Sequence, residues 1–179
     1  MMNVVIAIGD REINVSRTKL MSQSYIFRRF LESQMDPQLP VRLKMPDVHY
    51  DDIFLFAQAV DGIELNLNDN LDMKLRLLKT ADRFQAFTLV DELESSILYH
   101  DINRFNVIHA LKVAHHVGLD RVKTMALDHF ADKDLNEGER LSDFTGMDSL
   151  PFELTCLITN YLLAKLREKR ESGDMSSDF

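Results

Sequence analysis

The stretch "VVIAIGDREINVSRTKLMSQSYIFRRFL", Val4 to Leu31, decides how the chain is read. Asn3–Ile8 and Arg11–Val15 are rich in β-branched residues and meet at Gly9-Asp10, which predicts two strands joined by a tight turn. Ser16 then offers a helix cap, with Val15 and Leu20 spaced to staple the entry, and Ser24 offers a second cap before Tyr25. Two short helices are expected rather than one long one. On the second, Phe27, Phe30 and Leu31 at i, i+3 and i+4 share an apolar face, Arg29 falls opposite, and Arg28 can pair with Glu32 one turn on.

Beyond this stretch, Pro37 and Pro40 bracket a break, and Val41–Met45, "VRLKM", alternates apolar and charged residues as an amphipathic strand does. Helical patterns dominate from Pro46 onward. Asp47 is a cap candidate for a helix holding Ile53, Phe54, Phe56 and Ala57, with Asp51 and Asp52 near its positive end. The next helix carries Leu71, Leu75, Leu78, Ala81 and Phe84, with Lys74, Arg76, Lys79 and Arg83 read as a solvated basic face. Further apolar stripes run through Leu89, Leu93 and Ile97, through Val107, Leu111, Ala114 and Val117, and through Val122, Met125, Ala126 and Phe130, with Gly118 as a helix stop. Pro151 opens a last helix with Leu154, Leu157, Ile158, Tyr161 and Leu162. The fold class expected is α+β, a small sheet capped by helices, followed by all-α helical hairpins.

Composition narrows the function. The 179 residues hold 29 acids against 21 lysines and arginines, a net charge of -8. Such a chain is a poor phosphate-backbone binder, because that affinity comes from neutralising phosphates with cations. Nucleic acid is therefore not an expected partner. The lone cysteine, Cys156, has no disulfide or metal-binding mate and is expected to be a buried thiol in a reducing compartment. The apolar opening lacks a basic leader and a cleavage site, and no later run approaches the about 20 residues that span a bilayer. A soluble, intracellular protein of cytoplasm or nucleus is expected, with no membrane partner.

Catalytic motifs are missing from the sequence: it has no glycine-rich phosphate loop, nucleophile elbow or zinc-spaced histidine-glutamate pair. His109 and His116 lie about 10 Å apart along a helix, wide for one metal, and with His115 read best as half-buried or surface imidazoles. Asp51 and Asp52 point about 100° apart on a helix and do not make a shared-proton dyad. The nine methionines read as core filler. No enzyme activity, cofactor or metal is expected.

The order of these pieces is familiar. The opening stretch, then "VRLKMPDV", "LLKTADRF" and "LVDELESSIL", resembles the BTB (POZ) domain: a hairpin ending in Gly-Asp, Ser-x-x-Phe, a strand followed by Pro-Asp-Val, and a Leu-Leu-x-x-Ala-Asp-x-aromatic helix. "NVIHALKVAHHVGLDRVKTMALDHFADKDLNE" resembles the start of the helical BACK region that often follows. The domains implied are a BTB/POZ-like domain over 1–101, a BACK-like helical region over 102–166, and a polar, disordered tail over 167–179. A non-catalytic protein-interaction module is implied, and among such proteins many bind the cullin-3 scaffold of ubiquitin ligases. The alternative is a BTB scaffold, or a competitor of longer relatives, that touches no cullin.

In the cullin adaptors, the scaffold is met by the Ser-x-x-Phe helix and a hydrophobic-x-Glu motif just after it. By position that motif is Met35-Asp36-Pro37 here, with proline in the glutamate place. An aromatic that many adaptors place before the next turn is Val60, ahead of Asp61-Gly62. The resemblance thus implies a partner surface of Arg28, Leu31, Met35 and Val60, with Phe27 and Phe30 anchoring the helix to the core. The usual Asp-Val and His-Lys or His-Arg of the dimeric members' charged pocket are Asn3-Val4 and Ser16-Arg17. The chain also starts at the hairpin, without the extra helix and strand of those members, so the resemblance gives homodimerisation no support.

Overall fold

A computed structural model describes residues 3–33, 41–67, 70–136 and 140–172. The chain divides into two compact units, Met1–Ile97 and Leu98–Phe179.

In the first unit, β1 (Asn3–Ile8) and β2 (Arg11–Ser16) form the expected hairpin, and β3 (Val41–Lys44) adds to β1 in parallel, giving the order β2-β1-β3. Gly9 turns the hairpin at φ +59°, a conformation that favours glycine. Register sets Val4 opposite Val15 and Val41, and Ile6 opposite Ile13 and Leu43. Val4, Ile6, Ile13, Val15 and Leu43 are all buried, because directly opposed residues share a face of the sheet. The two short helices, α1 (Arg17–Gln23) and α2 (Tyr25–Glu32), lie between β2 and β3 in the chain.

Three further helices complete this unit: α3 (Tyr50–Val60), α4 (Leu71–Arg83) and α5 (Phe87–Ser96). Phe27 of α2, Phe56 of α3 and Phe84 after α4 form a buried aromatic trio, with ring centroids 4.9 to 6.3 Å apart. Asp47 does not cap α3. The helix begins later, with His49 at its cap position and Asp51 and Asp52 in its first turn. Asn70 caps α4 by accepting from the Met73 amide at 3.0 Å.

The basic face expected on α4 is corrected at two positions. Lys74 is buried and donates to the Ser96 carbonyl at 2.8 Å, so its ammonium meets the orphan carbonyls that end α5. Arg76 reaches Asp52 at 2.9 Å through Nε and 2.5 Å through Nη2. A period of 3.6 places Lys74 between Leu78 and Ala81 on the buried side and Arg76 next to the buried Thr80, and the neighbouring elements supply their acceptors.

The second unit opens with a 3-10 turn at Tyr99–Asp101, followed by α6 (Val107–Val117), α7 (Asp120–Asn136) and α8 (Phe152–Glu171). Gly118 ends α6 at φ +81°, as its sequence position predicts. Ile108, Leu111 and Ala114 of α6 are buried, as are Val122, Ala126 and Phe130 of α7 and Leu154, Ile158 and Leu162 of α8. Phe144 stands edge-on to Phe130 at 4.8 Å.

Residues 167–171 are helical, although the sequence assigned them to a tail, and 173–179 lie outside the described residues. Lys169 and Arg170 in the last turn suit the negative end of the helix dipole. Cys156 is half-buried rather than buried, because it sits well off the Leu154/Ile158/Leu162 stripe. Among the described residues no helix is long and apolar enough to cross a membrane.

Candidate protein-interaction surface

α2 is fixed at its start by one serine used twice. Ser24 is fully buried; its Oγ accepts from the Phe27 amide at 3.2 Å and donates to the Phe84 carbonyl at 2.6 Å. The Tyr25 amide donates to the Gln85 carbonyl at 3.2 Å, and Gln85 holds φ +52°, a left-handed conformation uncommon for a residue with a side chain. Ser-x-x-Phe is therefore a tie between α2 and the end of α4 as well as a cap. Sequence could locate the cap, but the bond to Phe84 spans sixty positions and has no local signal.

Two arginines hold the helices' far ends. Arg28 Nε donates to the Met21 carbonyl at 2.8 Å and its Nη2 to Ser22 at 3.2 Å, satisfying carbonyls at the end of α1. Arg17 Nη2 donates to the Leu31 carbonyl at 3.0 Å, at the end of α2. Each helix thus supplies the other with a C-terminal cap. Arg29 reaches the Tyr25 hydroxyl at 3.2 Å. Among the described residues no carboxylate pairs with Arg28 or Arg29, so their positive charge faces solvent on an otherwise acidic chain.

The expected surface residues are not brought together. Phe27 is buried as an anchor, but Phe30 is 42% exposed and Leu31 only 1%. Anchor and surface roles are therefore exchanged between those two. On a helix Phe27 and Leu31 lie about 40° apart, whereas Phe30 lies about 100° from Leu31 and about 40° from Ile26. Ile26 and Phe30 accordingly form the outward apolar pair, at 38% and 42% exposure, with Tyr25 beside Arg29. That i, i+4 pair was the available signal, hidden because Phe30 also lies three residues from Phe27.

Val60 is likewise buried, 4% exposed, at the last turn of α3, so it supports the core and offers nothing to a partner. Met35, with Asp36 and Pro37, lies outside the described residues. Among the described residues, Arg28 is the one member of that expected set found at the surface.

A cleft of about 340 Å³ lies elsewhere in the unit, lined by Ala59, Ile63, Leu65, Leu77 and Leu89 with Lys74 and Glu92 among them. In the second unit, His109, His115 and His116 are exposed on α6. No group of three metal-ligating side chains occurs among the described residues.

A small hairpin sheet extended by one parallel strand, with a paired-helix crossover fixed by Ser24 and exposing a mixed apolar and basic face, defines an α+β interaction module. The family model for the BTB/POZ domain matches residues 1–101, more than half of the 179, and the chain belongs to the BTB/POZ family of protein-interaction domains. No curated protein matches the chain.

Proposed function

We propose that the protein is a non-catalytic adaptor, intracellular, whose α2 face binds the amino-terminal region of a cullin-3-type scaffold. The observation that carries this reading is the outward Ile26/Phe30 pair with Arg29 beside it, whose charge no carboxylate among the described residues neutralises, while Arg28 lies on the opposite flank of the helix. Apolar anchors beside a cation without an ion-pair partner suit a partner segment that is itself apolar and acidic. Arg28 serves twice, as a cap of α1 and as surface charge, and Met35 remains the member of the surface that the family resemblance implies. Leu31 and Val60 are buried and serve the core, Leu31 from the inner face of α2 and Val60 from the last turn of α3. Residues 102–166 are then the BACK-like extension.

Titration of the protein with the cullin-3 amino-terminal region tests the reading. Binding is expected, weakened at least about tenfold, or 1.4 kcal/mol, by Phe30→Asp or Ile26→Asp. Circular dichroism should be unchanged, because both side chains are already exposed. No binding, or binding indifferent to both substitutions, defeats it. Pro37 in the place of the motif glutamate favours a second reading, a BTB scaffold that engages other proteins through the same face. Loss of cullin binding alone, with α2-dependent capture of a different partner, is its signature.

A further inference from the structure

The last helix carries a second apolar stripe that the core does not use. Leu154, Ile158 and Leu162 point inward and are buried. Phe152, Cys156, Thr159, Leu163 and Leu166 recur at alternating steps of four and three, the spacing of a coiled-coil seam, on a face centred about 120° around the helix from the buried one. Phe152 is 81% exposed and Leu163 47%, while Cys156 and Leu166 are half-buried. A helix apolar on two sides is suited to packing on two neighbours, and α7 is one of them.

Charge says what the second neighbour is. The first half of α8 contains one charged residue, Glu153, whereas its second half contains Lys165, Arg167, Lys169 and Arg170 against Glu168 and Glu171. Glu153, Arg167 and Arg170 have no ion-pair partner among the described residues. Turning a copy of this helix end for end about the middle of the stripe, at Thr159, sets Glu153 beside the partner's basic end. The same arrangement repeats at the other end, as a two-fold axis requires. A parallel pairing would instead lay the basic end of one helix along the basic end of the other, a like-charge arrangement that costs affinity. The opposed helix dipoles favour the antiparallel arrangement as well.

We propose that α8 associates with α8 of a second copy of this chain, antiparallel, along the Phe152–Cys156–Thr159–Leu163–Leu166 stripe. The association is reversible, because one seam of this length buries an area at the low end of specific interfaces. It is independent of the α2 face and of the proposed scaffold binding.

Sedimentation equilibrium of the full chain over a range of concentrations tests it. The mass should rise from one chain toward two as concentration increases. Phe152→Asp and Leu163→Asp should each raise the dissociation constant at least about tenfold without changing the far-ultraviolet spectrum, since both side chains are exposed. Glu153→Lys and Arg167→Glu should each weaken the dimer about threefold, and the double variant should restore it, because the swap recreates the pair in an antiparallel dimer. A chain that stays monomeric, or a dimer indifferent to Phe152→Asp and Leu163→Asp, overturns the proposal. Failure of the double variant to restore association overturns the antiparallel arrangement.

Discussion

Between Met1 and Ile97 the helices are held together by bonds that only particular residues make, whereas from Leu98 onward apolar stripes that many sequences could supply do most of the holding. Ser24 ties α2 to Phe84, Arg28 and Arg17 cap each other's helices, Lys74 closes α5, and three phenylalanines interlock beneath them. In the second unit α6 packs on α7 and α7 on α8, neighbours in sequence, with Tyr161 to Asp128 and Tyr99 to Asp132 among its few polar links. The family match follows the same division: it ends at residue 101, four positions past the end of the first unit.

The sharpest way to break the contrast is to attack the aromatic trio. Phe56→Ala should destabilise the first unit by about 3–5 kcal/mol, the cost of emptying a fully buried phenyl site. Denaturant unfolding followed by residue-resolved hydrogen exchange reads it. A loss under about 1 kcal/mol would mean that the trio is dispensable.

Ser24→Ala comes next, at about 1–3 kcal/mol, because it strands the buried Phe27 amide and the Phe84 carbonyl together. Exchange of the Phe27 amide should accelerate before that of the sheet. Equal acceleration throughout would show that the serine acts on the core generally rather than as a tie.

Tyr161 sharpens the comparison from the other side. Its hydroxyl donates to Asp128 at 2.6 Å, and burial, then that hydrogen bond, pushes its pKa well above the usual phenol value. The folded unit therefore keeps a proton that the unfolded chain releases near pH 10. Stability from this group is intact below about pH 10 and falls as pH rises beyond it. Tyr161→Phe should cost about 1 kcal/mol at neutral pH and flatten that alkaline slope. An unchanged slope would locate the titration elsewhere.

Smallest is Asp52→Asn, which removes the partner of a partly exposed arginine. The pair is worth about 0.2–1 kcal/mol and should fade in high salt. A salt-independent loss would mean that the hydrogen bond, not the charge, holds α3 to α4.

The sheet and the crossover were legible because their signals are local: β-branched alternation about Gly9-Asp10, a cap at Ser24, and alternation in "VRLKM"; Ser16 holds the cap position of α1, but its side chain makes no capping bond. The candidate surface was legible only as a helix. Which side of α2 faces out depends on Phe56 and Phe84 claiming Phe27, because two i, i+4 apolar pairs, Ile26/Phe30 and Phe27/Leu31, compete for the inward side. Lys74 misled for a related reason. A lysine on a helix reads as solvated until a distant carbonyl, here that of Ser96, is brought within reach. The last helix outran its expected end because charged residues at a C-terminus extend a helix as readily as they mark a tail.

The parallel pairing of β1 with β3 has a kinetic corollary. The hairpin closes over two residues, Gly9 and Asp10, but β3 reaches β1 only after β2, α1 and α2 have been gathered into the intervening loop. Closing that loop carries an entropy cost the hairpin escapes, and such long-range parallel contacts set a slow pace. Topology therefore orders assembly, hairpin early and third strand late, and the helix that bears the candidate surface lies within the segment whose closure completes the sheet.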